Sequence, residues 1–455
     1  MTSVPVYETE DIRRIESAAQ GDHPTLMERA GLAAADLAVR LTGDRGKDIL
    51  ILAGPGNNGG DAKIAARILA ERFFRVTIAT AADAASLPSG KRWALVVDGL
   101  FGIGLARDIA GDYAKLVDYA NAQACPVLAL DIPSGLESDT GRILGKAVCA
   151  TNTLTFIAHK PGLLTLDGPD LCGEVRVADL GLDVHALLPP TGWVAGPELL
   201  PEALKPRPRN FHKGNAGSVA VIGGADGMSG AALLAGRAAL RLGAGKVFVG
   251  LLDHKAPSFD PGALELMLRH PDEILGLDAG ALVVGPGLGM GERAETLLGA
   301  ALTGEAACVL DADALNLLAQ SSEFRSACTR RTRDTLLTPH PAEAARLLGT
   351  NVAAVQGDRL AAARLLSRTY NASVVLKGNG SILATRDGLW FVNTSGNPGM
   401  ASAGMGDVLA GILGALLAQG LSGEAALMLG THLHGAAADD LAAQGCGPVG
   451  LTTGE

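Results

Sequence analysis

Short apolar runs alternate with longer amphipathic stretches along almost the whole chain. Residues 48–53 (DILILA), 75–80, 93–98 and 126–132 read as strands. Helices are expected at 61–72 and 112–123, and two leading helices at 8–19 and 26–41. Strands that are apolar on both faces and separated by helices predict a parallel sheet covered on both sides. The pattern breaks at 197–217 (PELLPEALKPRPRNFHKGNAG), whose Pro and charge density reads as a boundary. The alternation then restarts, with strands at 217–222, 246–251, 281–284, 308–311 and 335–338 and a helix at 230–242. Strands at 373–377, 381–385 and 389–393 read as a late antiparallel set, followed by helices at 400–419 and 423–443. No repeat relates the halves. The expectation is two α/β domains, residues 1–205 and 206–455.

Composition narrows the function classes. Hydrophobic residues make up 48% but aromatics only 4%, so the core must rest on Ala, Leu, Val and Ile, and wholesale disorder is excluded. The 60 glycines belong to no repeat and are expected in turns and loops. A net charge of −10 without a basic run argues against nucleic acid or an anionic membrane as partner. No apolar run reaches the about 20 residues of a membrane span, and the opening MTSVPVYETEDIRRIE lacks the order of a signal peptide. The six cysteines are scattered, with no C-x-x-C. They read as buried reduced thiols, not as a zinc site or disulfides, in a cytoplasmic protein.

Three segments of the first half end strands in Gly-rich loops with acids: GPGNNGGDAK at 54–63, VDGLFGIGL at 97–105 and LDIPSGLESDTG at 130–141. Glycines let a backbone approach a phosphate, and a helix start aims N–H groups at it. In a parallel sheet all three loops meet at the carboxyl edge, where such folds bind ligands. One carboxyl at such an edge can act as acid and then as base.

In order, LMERAG, GPGNNGGD, DGLFGIGL, DIPSGL…DTG and TFIAHKPGLL resemble the NAD(P)H-hydrate epimerase domain, a Rossmann-like three-layer αβα fold. The resemblance implies an isomerase acting at C6 of hydrated nicotinamide nucleotides. It places Asn57, Asn58, Gly59, Gly60 and Asp61, with Gly102, Ile103, Gly104, Leu105, Ala106, Arg107 and Asp108, along the nucleotide. It implies Asn58, Asp98 and Ser134 as potassium ligands and Asp131 as a substrate-contacting, catalytic acid. Ala62 departs from the usual Gly, and Thr151 and Asn152 stand where the pattern has an acid.

In the second half, MASAGMGDVLAGIL at 400–413 opens a helix on glycines with Asp407 in its first turn. Free N–H groups there can stabilise a transferring phosphoryl, and the acid can deprotonate an attacking hydroxyl. VLKGNGS at 375–381, VVGPGLG at 283–289, LDADALN at 310–316 and TPHPAE at 338–343 add strand-end loops carrying Asp311, Asp313, Asn316, His340 and Glu343. GMGD resembles the ribokinase-like superfamily. Together with FHKGNAGSVAVIGG, GAALLAGRAALRLGAG and GNPGMASAGMGD it resembles the ADP-dependent NAD(P)H-hydrate dehydratase domain. The resemblance implies a lyase in which Ala231, Gly289, His340 and Asp407 contact the hydrate. Lys377, Gly378, Asn379, Gly380, Ser381 and Gly406 then hold the adenine nucleotide with Mg²⁺, and Asp407 is the catalytic base. The fused order resembles the bifunctional repair family: hydrated NADH and NADPH as substrates, ADP or ATP as donor with the lean to ADP, and assembly as a homo-oligomer. That family usually continues for a short helical tail beyond LTTGE. The rival reading is a ribokinase-like small-molecule kinase fused to a nucleotide-binding domain.

Overall fold

The computed structural model describes residues 4–21, 23–200 and 206–455. They form two compact units, Val4–Trp193 and Val194–Glu455. The division read from the sequence, between residues 205 and 206, borders residues 201–205, which lie outside the described residues.

The first unit is built on six parallel strands: β1 (Asp48–Ala53), β2 (Arg75–Ala79), β3 (Leu95–Gly99), β4 (Val127–Leu130), β5 (Asn152–Phe156) and β6 (Glu174–Ala178). Their spatial order is β2-β1-β3-β4-β5-β6. The apolar run of β1 is explained by its two faces. Ile49 and Ile51 pack into a core shared with helices Leu26–Thr42 and Asn57–Glu71. Leu50 and Leu52 face the other way, into a core with Leu116, Val117 and Ala120 of helix Gly111–Asn121. With few aromatics, small residues bring helices close: a Cβ on Gly31 would lie 2.4 Å from Ile64 Cγ2.

The second unit carries β7 (Ser218–Gly223), β8 (Lys246–Leu251), β9 (Met267–Arg269), β10 (Ala281–Val284), β11 (Ala307–Leu310), β12 (Thr335–Leu337), β13 (Ser373–Leu376), β14 (Ser381–Ala384) and β15 (Trp390–Asn393). The order is β15-β14-β13-β12-β11-β10-β7-β8-β9. It is parallel from β9 to β13 and antiparallel at β13-β14-β15. Helices Ser229–Arg241 and Met405–Ala418 cross almost backbone to backbone, since a Cβ on Gly411 would lie 2.0 Å from Ala235 O.

In each sheet the strand order reverses direction beside one strand, between β1 and β3 and between β7 and β10. Such switch points open crevices at the carboxyl edge. Of the strands named above, three were not expected. β5 (NTLTF) carries buried Asn152, Thr153 and Thr155, β6 (EVRVA) is a largely exposed edge, and β9 has three residues. Helix Asn57–Glu71 begins four residues before the predicted start, inside the Gly-rich run. The helix expected from 400 begins at Met405, because Gly404 takes a left-handed φ of 89°. All six cysteines are free, but only Cys172, Cys308 and Cys328 are buried, and Cys149 and Cys446 are exposed. These exposed thiols correct the expectation of uniformly buried ones.

Candidate active sites

At the carboxyl edge of the first sheet, the β1 loop turns into helix Asn57–Glu71, whose start no side chain caps. The first-turn N–H groups, which lack intrahelical partners, are thus left to the crevice. Gly54 and Gly59 are required by closeness: a Cβ on Gly54 would lie 1.7 Å from Leu100 O, and one on Gly59 2.0 Å from Gly54 O. Gly60 lies against Met27. The 102–108 segment follows β3, with Leu105 N bonded to Gly102 O (3.2 Å). Gly104, Ala106, Arg107 and Asp108 are exposed along its rim.

Asp98, at the end of β3, is fully buried. Its Oδ1 accepts from Ser134 Oγ (2.7 Å) and Leu100 N (3.2 Å), and its Oδ2 from Ser134 N (2.8 Å). Burial pushes this carboxyl up to about 6 despite those bonds. Asn58 donates from Nδ2 to Leu130 O (3.1 Å), while its buried Oδ1 has no partner. A buried acid without a cationic partner, a hydroxyl and an orphaned amide oxygen form a hard-oxygen set that suits a cation such as potassium.

Asp131 follows β4 with φ 66°, a backbone region costly for a residue with a Cβ. Its Oδ2 accepts from Ile103 N (3.2 Å) and its Oδ1 pairs with Lys160 Nζ (2.6 Å). Lys160 is fully buried and also donates to Thr155 Oγ1 and Phe156 O, both at 2.7 Å. A Cβ on Gly102 would lie 2.9 Å from Asp131 Oδ2 and 3.5 Å from Asn58 Cβ, so three separate loops meet here. Asp61 is buried at the same edge. Burial, and then the charges of Asp131 and Glu16, push it up to about 8.

In the second unit the loops after β11, β12 and β13 converge on the start of helix Met405–Ala418. Lys377 Nζ pairs with Asp311 Oδ1 (3.0 Å), and a Cβ on Gly406 would lie 3.0 Å from that ammonium. Burial opposes the Lys377 charge, but Asp311, Glu343 and Asp407 outweigh it and raise its titration. Asp407 is pushed up to about 6 by burial and Asp311, against the pull of Lys377. Glu343, nearly buried, rises to about 7, chiefly through burial. His340 caps helix Pro341–Leu348 by accepting from Ala342 N (3.1 Å), while Glu343 accepts from His340 N (2.8 Å). Burial and the Lys377 charge hold His340 below its usual range.

Around this centre, Gly289 N donates to Asp313 Oδ2 (2.8 Å). Ala231 sits in helix Ser229–Arg241, and a Cβ on Gly287 would lie 3.3 Å from its methyl. Ser381 Oγ closes the 378–381 loop on Gly378 O (2.9 Å), with Asn379 and Gly380 at its tip. Arg359, fully buried, grips this loop's base through the carbonyls of Leu376 (3.2 Å) and Lys377 (3.4 Å).

The NAD(P)H-hydrate dehydratase family model matches residues 219–452, and the model for the YjeF-related protein N-terminus matches 23–94 and 82–162. The chain is 38% identical over 474 residues to a bifunctional NAD(P)H-hydrate repair enzyme of Coxiella burnetii, covering 97% of this chain and 95% of that one. The chain belongs to the bifunctional NAD(P)H-hydrate repair enzymes. A repair enzyme of Escherichia coli is also 38% identical, over 97% of this chain and 91% of that one. An ADP-dependent (S)-NAD(P)H-hydrate dehydratase of Neisseria meningitidis is 47% identical over 56% of this chain and 87% of its own.

Within this repair enzyme, the departures from the pattern have local explanations. The methyl of Ala62 is buried against Gly99, where an added Cβ would come within 2.5 Å, so glycine at 99 makes the room. Thr151 precedes β5, and its Oγ1 bonds the N and O of Val127 at 3.0 Å each. Thr151 and Asn152 therefore knit the amino ends of β4 and β5, at the opposite end of the sheet from the crevice. Sequence reasoning did not single out Lys160, Glu16 or Arg359. A lysine in the apolar context TFIAHKPGLL was the available signal, because a buried ammonium requires a partner.

Proposed function

We propose that the N-terminal unit interconverts the R and S forms of hydrated NADH and NADPH, and that the C-terminal unit returns the S form to NAD(P)H while ADP is hydrolysed to AMP and phosphate. The observation that carries this reading is full-length similarity to repair enzymes combined with an acid, a lysine and an open glycine turn meeting at Asp407. In the second site Asp407 takes the proton of the C6 hydroxyl, whose oxygen attacks the terminal phosphorus of ADP, and AMP leaves. The Gly404–Gly406 turn and Lys377 hold the transferring phosphoryl. The ring nitrogen's lone pair then expels phosphate from C6, and loss of a C5 proton restores the reduced ring. Ala231, Gly289 and His340 line the hydrate, and the Lys377–Ser381 loop holds the nucleotide.

Asp311 and Glu343 offer carboxylate oxygens beside Lys377, a donor set that suits Mg²⁺ when phosphates supply further ligands. Bound there, the ion would neutralise phosphate charge. In the first site Asn58, Asp98 and Ser134 would hold potassium, whose charge would order the loops that carry them. Asn57 to Asp61 and Gly102 to Asp108 then line the hydrate, and Asp131 faces its reacting ring. The domain division at 205/206, a homo-oligomeric assembly and a cytoplasmic location belong to the same reading. Six free cysteines support a reducing compartment.

The test is to incubate purified protein with mixed hydrate epimers, Mg²⁺ and ADP or ATP, and to follow the absorbance of the reduced nicotinamide and free phosphate. Recovery of both supports repair. A stable phosphorylated product supports the kinase reading instead.

A further inference from the structure

Two carboxyls of the first site stand in opposite situations. Asp131 is ion-paired with Lys160 Nζ at 2.6 Å, and the other donors of that buried ammonium go to Thr155 Oγ1 and Phe156 O. Among the described residues Lys160 ion-pairs with Asp131 and with no other acid, although its charge also reaches Glu16. Asp61, 8% exposed, has no hydrogen bond or ion pair through its side chain among the described residues. It sits in the second turn of helix Asn57–Glu71, in the loop-and-helix segment that lines the hydrate under the epimerase reading, on which this inference rests. We propose that Asp61 is the proton carrier of epimerisation, and that Lys160 is a positioning residue that reserves Asp131 as the fixed negative charge of the site.

The environment of Asp61 agrees with that division. Glu16, from helix Thr9–Ala18, and Asp131, from the loop after β4, are the charges that face it. Helix Leu26–Thr42 packs on the same side through Gly31, whose added Cβ would lie 3.1 Å from Asp61 O. Burial and two negative neighbours keep Asp61 protonated at neutral pH, titrating at about 8. A carboxyl held neutral beside an ion-paired one divides acid from charge.

The step balances. The Asp61 O–H gives its proton to the C6 hydroxyl, the C6–O bond breaks, and water leaves with that bonding pair. The ring nitrogen's lone pair forms a C=N bond, and the resulting cation lies against Asp131. Water then adds to the other face of C6, its proton goes to the Asp61 carboxylate, and the C=N pair returns to nitrogen. Proton and water are recovered, and only the configuration at C6 has changed.

The experiment uses the full chain without nucleotide, so that the dehydratase is silent, and follows conversion of one purified hydrate epimer into the other by chromatography. Wild-type turnover should fall as pH rises through about 8, because the donor form is lost. Asp61→Asn should lose at least about 10²-fold in kcat, as expected for a general acid, with KM within a few-fold and no alkaline limb. Glu16→Gln should keep its turnover but move the alkaline limb to lower pH, because one repelling charge is gone. ADP-dependent dehydration of the S epimer, measured on the same proteins, should be unchanged, and hydrogen exchange of the β1 amides, in the same unit as Asp61, reports whether that unit stays folded. Near-wild-type turnover in Asp61→Asn, or an unmoved limb in Glu16→Gln, overturns the assignment. Wild-type protein that interconverts no epimers at any pH would overturn the epimerase reading instead.

Discussion

Replacing Lys160 with methionine keeps the length of the side chain and removes its charge. The ammonium makes three bonds, to Asp131 Oδ1 at 2.6 Å and to Thr155 Oγ1 and Phe156 O at 2.7 Å. The variant leaves a buried carboxylate with Ile103 N as its remaining donor. Breaking a buried pair from one side costs about 3–5 kcal/mol. The Asp131 side chain is 12% exposed, so water relieves part of the loss and the lower end, about 3 kcal/mol, is expected. That is a large share of a typical domain stability of about 5–15 kcal/mol. Hydrogen exchange of the amides of β5, which carries Thr155, reads the cost within this unit, and about 3 kcal/mol corresponds to exchange about 10²-fold faster. The double variant Lys160→Met/Asp131→Asn removes both charges and should cost less than the sum of the singles by at least about 1 kcal/mol. A single-variant cost below about 1 kcal/mol, or strict additivity, would refute the argument that the pair is a desolvated unit.

Asp407→Asn should cut dehydration by at least about 10²-fold while nucleotide binding, measured by calorimetry, survives. Because Asp407 must be deprotonated to act as base and titrates at about 6, wild-type dehydration should decline as pH falls through that value. Asp98→Ala should abolish any potassium dependence of epimerisation and leave dehydration of the S epimer untouched; rates in potassium and in a bulky organic cation check this. Gly59→Ala, normally stabilising in a helix by about 0.5–1 kcal/mol, should destabilise here because its Cβ would meet Gly54 O at 2.0 Å, and exchange of β1 amides should quicken.

The continuous strands were legible because each buries both faces, as Ile49 with Ile51 and Leu50 with Leu52 do on β1. β5 was not, since Asn152, Thr153 and Thr155 interrupt its apolar run with buried polar groups, and Thr153 Oγ1 finds its partner, Cys172 O, 19 residues away. The glycine turns were legible as motifs, but the start of helix Asn57–Glu71 inside NNGGD was hidden by two glycines with low helix propensity. At the sites, the acids were visible, whereas their division of labour was not. That depends on Lys160 reaching Asp131 across 29 residues and Lys377 reaching Asp311 across 66, and single-residue patterns carry no such pairing. Arg359 escaped notice for the same reason: it reads as a helix-start arginine until its guanidinium is seen on the carbonyls of Leu376 and Lys377.

On this reading one chain carries two activities that together clear both hydrate epimers. The direct measurement supplies the full-length protein with a mixture of R and S hydrates, Mg²⁺ and ADP, and resolves both epimers, NAD(P)H and AMP over time by chromatography. Both epimers should disappear faster than spontaneous interconversion allows, with one AMP and one phosphate formed per NAD(P)H recovered. Consumption of the S form alone, with the R form declining at its spontaneous rate, would contradict it, as would a phosphorylated hydrate that accumulates without release of NAD(P)H.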